Sequence, residues 1–251
     1  MILDQPNRFS LANWLGASWI YPNVCQLCES ESATAEEGYV GPRCRLAVQW
    51  ITPPYCQRCG MPFDGSMEQP FECSNCQEGD FAFSSARSAV AAKGPVLEAI
   101  HRYKYHGARW FEPFFATLLS QRVAQSLPTG SWDGLIPVPL HPGKLREREF
   151  NQALHLCQVL SAATQLPIYS DLLKRSKATE TQTHLTRSQR QSNVTNAFHP
   201  NGPEAMVTIQ GGKWILVDDV FTTGSTTNAC ATVLRQSGAQ DVAVWTLARG
   251  L

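Results

Sequence analysis

The stretch Ile215-Leu216-Val217-Asp218-Asp219-Val220-Phe221-Thr222-Thr223-Gly224-Ser225-Thr226 runs from apolar residues through two acids into a turn of small residues, and from there into a helical pattern. A short apolar run bounded by turn residues reads as a buried strand. In open α/β sheets the loops that follow such strands lie at the carboxyl edge, where ligands bind. Residues Thr222 to Thr226 offer backbone N–H groups and hydroxyls to a phosphate monoester, Gly224 permits close approach, and the following helix presents its positive end. Asp218 and Asp219 then stand about one sugar ring away, placed to accept hydrogen bonds from ribose hydroxyls. Capping of the next helix explains one Asp. It does not explain two acids and a Thr/Gly/Ser turn in register.

Working outward, apolar spacing predicts strands at 87–92, 135–140, 214–217 and 241–248, and helices at 95–105, 111–126, 153–163 and 226–236. Strands alternating with helices imply right-handed crossovers and a doubly wound, mainly parallel α/β sheet. The segment His141-Pro142-Gly143-Lys144-Leu145-Arg146-Glu147-Arg148 reads as a loop after a strand. Its cations Lys144, Arg146 and Arg148 are suited to neutralising a diphosphate at the same sheet edge. Residues 174–196 are polar, and their Lys174, Arg175, Lys177 and Gln182 suggest a mobile lid over the site.

Composition changes near residue 85, which divides the chain into a Cys-rich module over 1–84 and an α/β domain over 85–251. Residues 1–86 hold 4 Lys and Arg against 10 Asp and Glu, whereas residues 87–251 hold 17 against 11, so anionic ligands belong to the second part. No apolar run reaches the ~18 residues of a spanning helix. The aromatic segment 11–21 reads as an N-terminal helix or loop docking on the next domain, because Asp4 offsets Arg8 ahead of it and a signal peptide needs a net positive flank.

Seven of the nine cysteines fall between residues 25 and 76. Cys56-Gln57-Arg58-Cys59 and Cys73-Ser74-Asn75-Cys76 form two knuckles with Gly60, Pro62 and Gly65 between them, the spacing of a closed tetrahedral zinc site. A redox-dithiol reading leaves unexplained why two matching knuckles occur in a segment too small to fold without a staple. Cys25, Cys28 and Cys44 form a third set, but position 47, where a fourth thiolate would complete the pattern, is Ala47. That leaves a three-thiolate second site or a structural remnant, and the remnant is the preferred expectation. Cys157 and Cys230 fall in predicted helices as buried apolar residues. Thiol-based metal sites point to a reducing cytoplasm. With one Arg and five acids in residues 54–80, the ribbon is poorly matched to a phosphate backbone and better matched to protein contact or to plain support of the main domain.

The order of motifs along the chain resembles the ComF/GntX family, a competence-associated branch of the type I phosphoribosyltransferases. It runs from Cys25–Cys76 through Lys104-Tyr105 to Pro139-Leu140 with Arg146, Arg148 and Phe150-Asn151-Gln152, then Gln182, Leu185, Arg190, Asn193 and Phe198, and finally Val217–Thr226. The resemblance implies a type I phosphoribosyltransferase fold behind a zinc module, and binding of phosphoribosyl diphosphate (PRPP) with Mg²⁺ by Val217, Asp218, Asp219, Thr222, Thr223, Gly224, Ser225 and Thr226. It also implies a part in DNA uptake with single-stranded DNA and the uptake machinery as partners; the alternative is active transfer to an acceptor, with Asp218 and Asp219 as the catalytic acids. Tyr103, Tyr105, Trp110 and Phe111 beside Lys104 and Arg109 would serve stacking on DNA, or else pack a helix on the sheet. One departure is Glu149, which stands where the family has Gly and sets a negative side chain beside the diphosphate segment.

Overall fold

A computed structural model describes residues 23–66, 69–126, 131–176 and 197–251. The helices are α1 (Pro42–Leu46), α2 (Ser74–Gln77), α3 (Gly94–Tyr105), α4 (Glu112–Ser126), α5 (Pro142–Arg148), α6 (Gln152–Thr164), α7 (Pro203–Ile209) and α8 (Ser225–Gln236). The strands are β1 (Ser85–Ala91), β2 (Gly134–Pro137), β3 (Leu173–Arg175), β4 (Phe198–Pro200), β5 (Lys213–Phe221) and β6 (Asp241–Arg249). Four of them form one parallel sheet in the order β1-β6-β5-β2, while β3 and β4 pair antiparallel.

Central parallel strands are covered on both faces and so read as continuous apolar runs. Accordingly, β6 is buried from Val242 to Arg249. The period of two along β5 sorts its side chains. Ile215 and Val217 join Val96, Ile100, Phe114, Phe115 and Leu156 from α3, α4 and α6 on one face. Trp214 and Leu216 join Phe198, Ala231 and Leu234 on the other. Cys56, Cys59 and Cys76 belong to this second cluster, so the zinc-ribbon segment packs directly on the α/β sheet. The free edge of β1 is also covered: Ala91 N–H donates to Gln49 O (2.8 Å) and Ile51 N–H to Ala89 O (3.2 Å), which removes an open edge.

Every predicted helix and sheet strand is present within a few residues. Three differences have physical causes. Residues 142–148 are helical, not a loop: Pro142 occupies the first turn, where its missing N–H costs nothing, and His141 Nδ1 accepts from Gly143 N–H at 3.1 Å. Strand β5 runs on past Val217 through both acids to Phe221, in register with Thr246, Ala248 and Arg249. Of the expected lid, Lys174 and Arg175 sit in strand β3, while Lys177 and Gln182 lie outside the described residues, as does the N-terminal segment expected to be a helix or loop.

Candidate phosphoribosyl and metal sites

The two acids lie near the carboxyl end of the central strand, just before Val220 and Phe221, and point to opposite faces of the sheet. Asp219 continues the face of Ile215 and Val217 and meets α3, where its Oδ2 lies 2.7 Å from Lys104 Nζ in a pair only 19% and 13% exposed. Asp218 continues the other face, beneath α8 and beside β3. Burial and the neighbouring Asp219 charge outweigh the cations Lys104 and Arg175, and the carboxyl is pushed up to about 7. Two carboxyls on one strand end are thus differentiated: one holds a cation, and the other gains or loses a proton near neutrality.

Behind them, Thr222 to Thr227 curl around a hollow of about 30 Å³ lined by Thr222, Gly224, Ser225, Thr226 and Asp218. Gly224 is left-handed at φ +78°, and a Cβ on it would fall 2.5 Å from the Phe221 ring, so both backbone and space demand glycine. Thr223 and Ser225 share a hydroxyl hydrogen bond of 2.8 Å. Helix α8 starts at this loop with no side-chain cap, leaving its positive end directed into the turn. Val217, expected to touch PRPP, is instead fully buried in the core beneath the acids and supports the loop.

The hollow opens into a cleft of about 610 Å³ to which Lys104, Tyr105, Lys144, Arg148, Arg175 and both acids contribute. Of the three cations expected to meet a diphosphate, Lys144 lines the cleft and pairs with Glu147 at 2.9 Å, and Arg148 lines it with its guanidinium 5.5 Å above the Tyr105 ring. Arg146 is exposed and does not line the cleft. The Phe150-Asn151-Gln152 segment divides its labour. Phe150 packs against Tyr103 (4.8 Å between rings). Asn151 caps α6 through Ala153 N–H and donates to Val138 O. Gln152 Nε2 and Arg148 Nε are buried at the cleft without a hydrogen-bond partner among the described residues. Unsatisfied buried donors are costly in isolation, by about 1–3 kcal/mol each, so an anion arriving there would be held strongly.

Glu149 is exposed, stays outside the cleft and terminates α5 in the left-handed region at φ +66°. The glycine that the family has at this position therefore reflects a helix C-cap, and the Glu149 side chain does not line the cleft. Replacing Glu149 by Gly should stabilise the fold by about 1 kcal/mol, read as a higher urea midpoint at unchanged slope.

Among the aromatics, Tyr103 and Phe111 are core residues, whereas Tyr105 is 43% exposed on the cleft rim. Packing thus accounts for much of the cluster.

The Sγ atoms of Cys56, Cys59, Cys73 and Cys76 all lie within 4.8 Å of one another. Four thiolates about 2.3 Å from a tetrahedral zinc stand about 3.8 Å apart, and Cys59 and Cys73 are separated by 3.7 Å; the donor set fits Zn²⁺. Gly60 presses the first knuckle onto β1, since a Cβ there would lie 2.7 Å from Ala86 O. The other set also converges. Cys25, Cys28 and Cys44 have donors within 4.8 Å of one another and of the Glu31 carboxylate, a residue that the Cys-x-x-Cys pattern does not flag. The three cysteines are therefore a clustered donor set rather than dispersed remnants.

Arg249, at the end of β6, joins the zinc ribbon to the phosphate loop. Its guanidinium donates to Phe221 O (3.0 Å) and Thr222 O (2.6 Å), lies 4.5 Å over the Phe221 ring, and reaches Cys59 Sγ at 3.6 Å. Asn228 of α8 adds a clasp, accepting from Ala82 N–H at 2.7 Å and donating to Asp80 O at 3.1 Å. The only sequence signal for Arg249 was a cation closing an apolar run.

The double zinc ribbon domain family matches residues 17–77, spanning both cysteine sets. Competence protein F of Haemophilus influenzae is 32% identical over 199 residues, covering 78% of this chain and 85% of that protein. DNA utilization protein YhgH of Salmonella typhimurium is 31% identical over 233 residues, covering 92% of this chain and 98% of that protein. The chain belongs to the ComF/GntX family. This ComF-type chain also has a slight likeness to glutamine PRPP amidotransferase of B. subtilis, at 16% identity and a TM-score of 0.33, covering 53% of this chain and 25% of that one. The ComF-type architecture joins a double zinc ribbon to a four-stranded parallel sheet, and no helix among the described residues is long and apolar enough to cross a membrane.

Proposed function

We propose that this chain binds PRPP with Mg²⁺ at the carboxyl end of β5 and serves, as a PRPP-binding protein of the cytoplasm, in the uptake and use of single-stranded DNA. One observation carries the first half: two acids and the cations Lys104, Lys144, Arg148 and Arg175 line a single cleft, and the small hollow of the 222–227 turn shares Asp218, Thr222 and Thr226 with it. The 5-phosphate belongs to the turn 222–226, the ribose hydroxyls to Asp218 and Asp219, and the diphosphate to Lys144, Arg148 and Gln152 Nε2, which has no partner among the described residues. Mg²⁺, when bound, neutralises diphosphate charge and takes most of its ligands from the substrate's own oxygens. The second half rests on the relatives, whose names are DNA utilization protein and competence protein.

A second reading, phosphoribosyl transfer, is favoured by the exposed apolar side chains Leu97 (51%) and Tyr105 (43%) on the cleft wall. They would receive a flat acceptor whose nitrogen attacks the anomeric carbon as the C–O bond to diphosphate breaks. The diphosphate leaves with the electron pair, and the nitrogen loses its proton. Release of diphosphate on adding an acceptor to the PRPP-loaded protein tests this reading.

The binding proposal carries a pH signature. Ribose hydroxyls need Asp218 ionised, yet its carboxyl is held up to about 7. Binding must therefore expel a proton below that value and not above it. PRPP affinity measured at pH 6 should be about tenfold weaker than at pH 8, with proton release visible as a buffer-dependent heat. Because the 5-phosphate itself titrates near pH ~6, the Asp218→Asn variant, which should have the flatter profile, supplies the control. A pH-independent affinity in the parent would count against the ribose role of Asp218.

A further inference from the structure

The described residues hold two four-donor clusters of unlike chemistry. Cys56, Cys59, Cys73 and Cys76 offer four sulfurs; Cys25, Cys28, Cys44 and Glu31 offer three sulfurs and a carboxylate. Ala47, the position at which a second Cys-x-x-Cys knuckle would close, is exposed beyond the end of α1. The fourth donor comes instead from the other side, through the chain that follows the first knuckle.

Several contacts hold Glu31 there. Its Oε2 accepts from Arg43 N–H at 2.9 Å and its Oε1 from Cys44 N–H at 3.2 Å, while Cys28 Sγ lies 3.6 Å from Oε1. Each carboxylate oxygen keeps a further lone pair. The main chain closes the turn as well, with Cys25 N–H donating to Glu31 O at 2.8 Å. Space for the side chain depends on Gly41: a Cβ on that residue would sit 2.4 Å from Cγ and Cδ of Glu31. The φ of Gly41 is −76°, which any residue adopts, so the missing side chain serves the carboxylate and not the backbone. Cys25 and Cys44 stand 3.7 Å apart, close to the ~3.8 Å that tetrahedral zinc requires of two thiolates.

The double zinc ribbon match implies a zinc at each cysteine set; we propose that in this chain Glu31 supplies the fourth ligand beside Cys25, Cys28 and Cys44, and that this three-thiolate, one-carboxylate site binds zinc more weakly and exchanges it more readily than the four-thiolate site. Three thiolates exclude hard cations such as Ca²⁺ and Mg²⁺, and a carboxylate is a harder donor to zinc than the thiolate it replaces. Formal charge does not distinguish the sites, because either donor set leaves −2 around Zn²⁺. Accessibility does, since Cys28 is exposed whereas Cys56, Cys59 and Cys76 are buried.

The test uses the full chain. Reconstituted with Zn²⁺ and measured by native mass spectrometry, the parent should carry two metals per chain, and a competing chelator should remove one at a concentration at least tenfold below that needed for the other. Glu31→Ala and Gly41→Ala should each keep one metal. With Co²⁺ the thiolate charge-transfer band counts metal–sulfur bonds, seven in the parent and four in the variants, so intensities should stand near 7:4. Should Glu31→Ala fail to fold, Glu31→Gln keeps an acceptor for the Arg43 N–H and should weaken only the second equivalent, by tenfold or more. A parent that binds a single metal, or a Glu31→Ala or Glu31→Gln variant that binds two at the parent's affinity, overturns the proposal.

Discussion

Replacing Arg249 by Met should destabilise the protein by about 3 kcal/mol and weaken PRPP binding by at least tenfold, although Arg249 does not line the cleft. The side chain is 3% exposed, and its guanidinium is shared among two carbonyls of the phosphate loop, the Phe221 ring and the thiolate of Cys59. Methionine fills similar volume but leaves Phe221 O without the guanidinium and Thr222 O without its donor, and removes a positive charge from beside a zinc–thiolate group of net charge −2. Burial and the Cys59 thiolate act on the same guanidinium in opposite directions, burial disfavouring its charge and the thiolate favouring it. Removal of zinc from the four-thiolate site should therefore act on the phosphate loop in the same sense as the substitution. Urea unfolding monitored by tryptophan fluorescence, with PRPP titration under conditions where the variant stays folded, measures both effects. An Arg249→Met protein with the parent's midpoint and the parent's PRPP affinity would show that the ribbon and the loop are independent.

Gly224→Val should abolish PRPP binding, by about a hundredfold or more, while leaving the metal content unchanged. Two costs coincide at this position. A β-branched residue at φ +78° pays about 1–2 kcal/mol for the left-handed backbone. Its Cβ also meets the Phe221 ring at 2.5 Å, and that ring is wedged between Arg249 and Phe83, so it has no free direction to move. The loop must therefore open, carrying Thr223 and Ser225 away from the hollow. The check is a PRPP titration beside zinc analysis and far-UV circular dichroism. Retained affinity with a folded chain would mean that the turn is not the phosphate cradle.

What was legible in the sequence was what periodicity and local chemistry write into neighbouring residues. The continuous apolar run Trp214–Val217, the small-residue turn and the apolar run of β6 place the sheet and its carboxyl edge, and the paired knuckles give the four-thiolate cluster. Features assembled from distant segments were not legible. Lys104 sits in the last turn of α3 and becomes a site residue only because β5 extends far enough to present Asp219 to it. Glu31 lies between two cysteine sets and reads as an ordinary loop acid until Gly41 lets it fold back. Arg249 ends a strand 190 residues after Cys59. Helix α5 was hidden by its own start: Pro142 and Gly143 spell a turn unless His141 is recognised as a cap. The same helix explains why Arg146 and Arg148, two residues apart, do not share a direction, since such neighbours fall on different sides of a helical turn.

The account stands on the acids at the end of β5. Its most direct test is calorimetric titration of PRPP with Mg²⁺ into the zinc-loaded protein at pH 8, beside the Asp218→Asn/Asp219→Asn double variant. The parent should saturate at one PRPP per chain, and the variant, its carboxylates gone and Lys104 released, should bind at least about a hundredfold more weakly, a loss of roughly 2.7 kcal/mol. A parent that takes up no PRPP, or a double variant that binds as the parent does, would contradict the account.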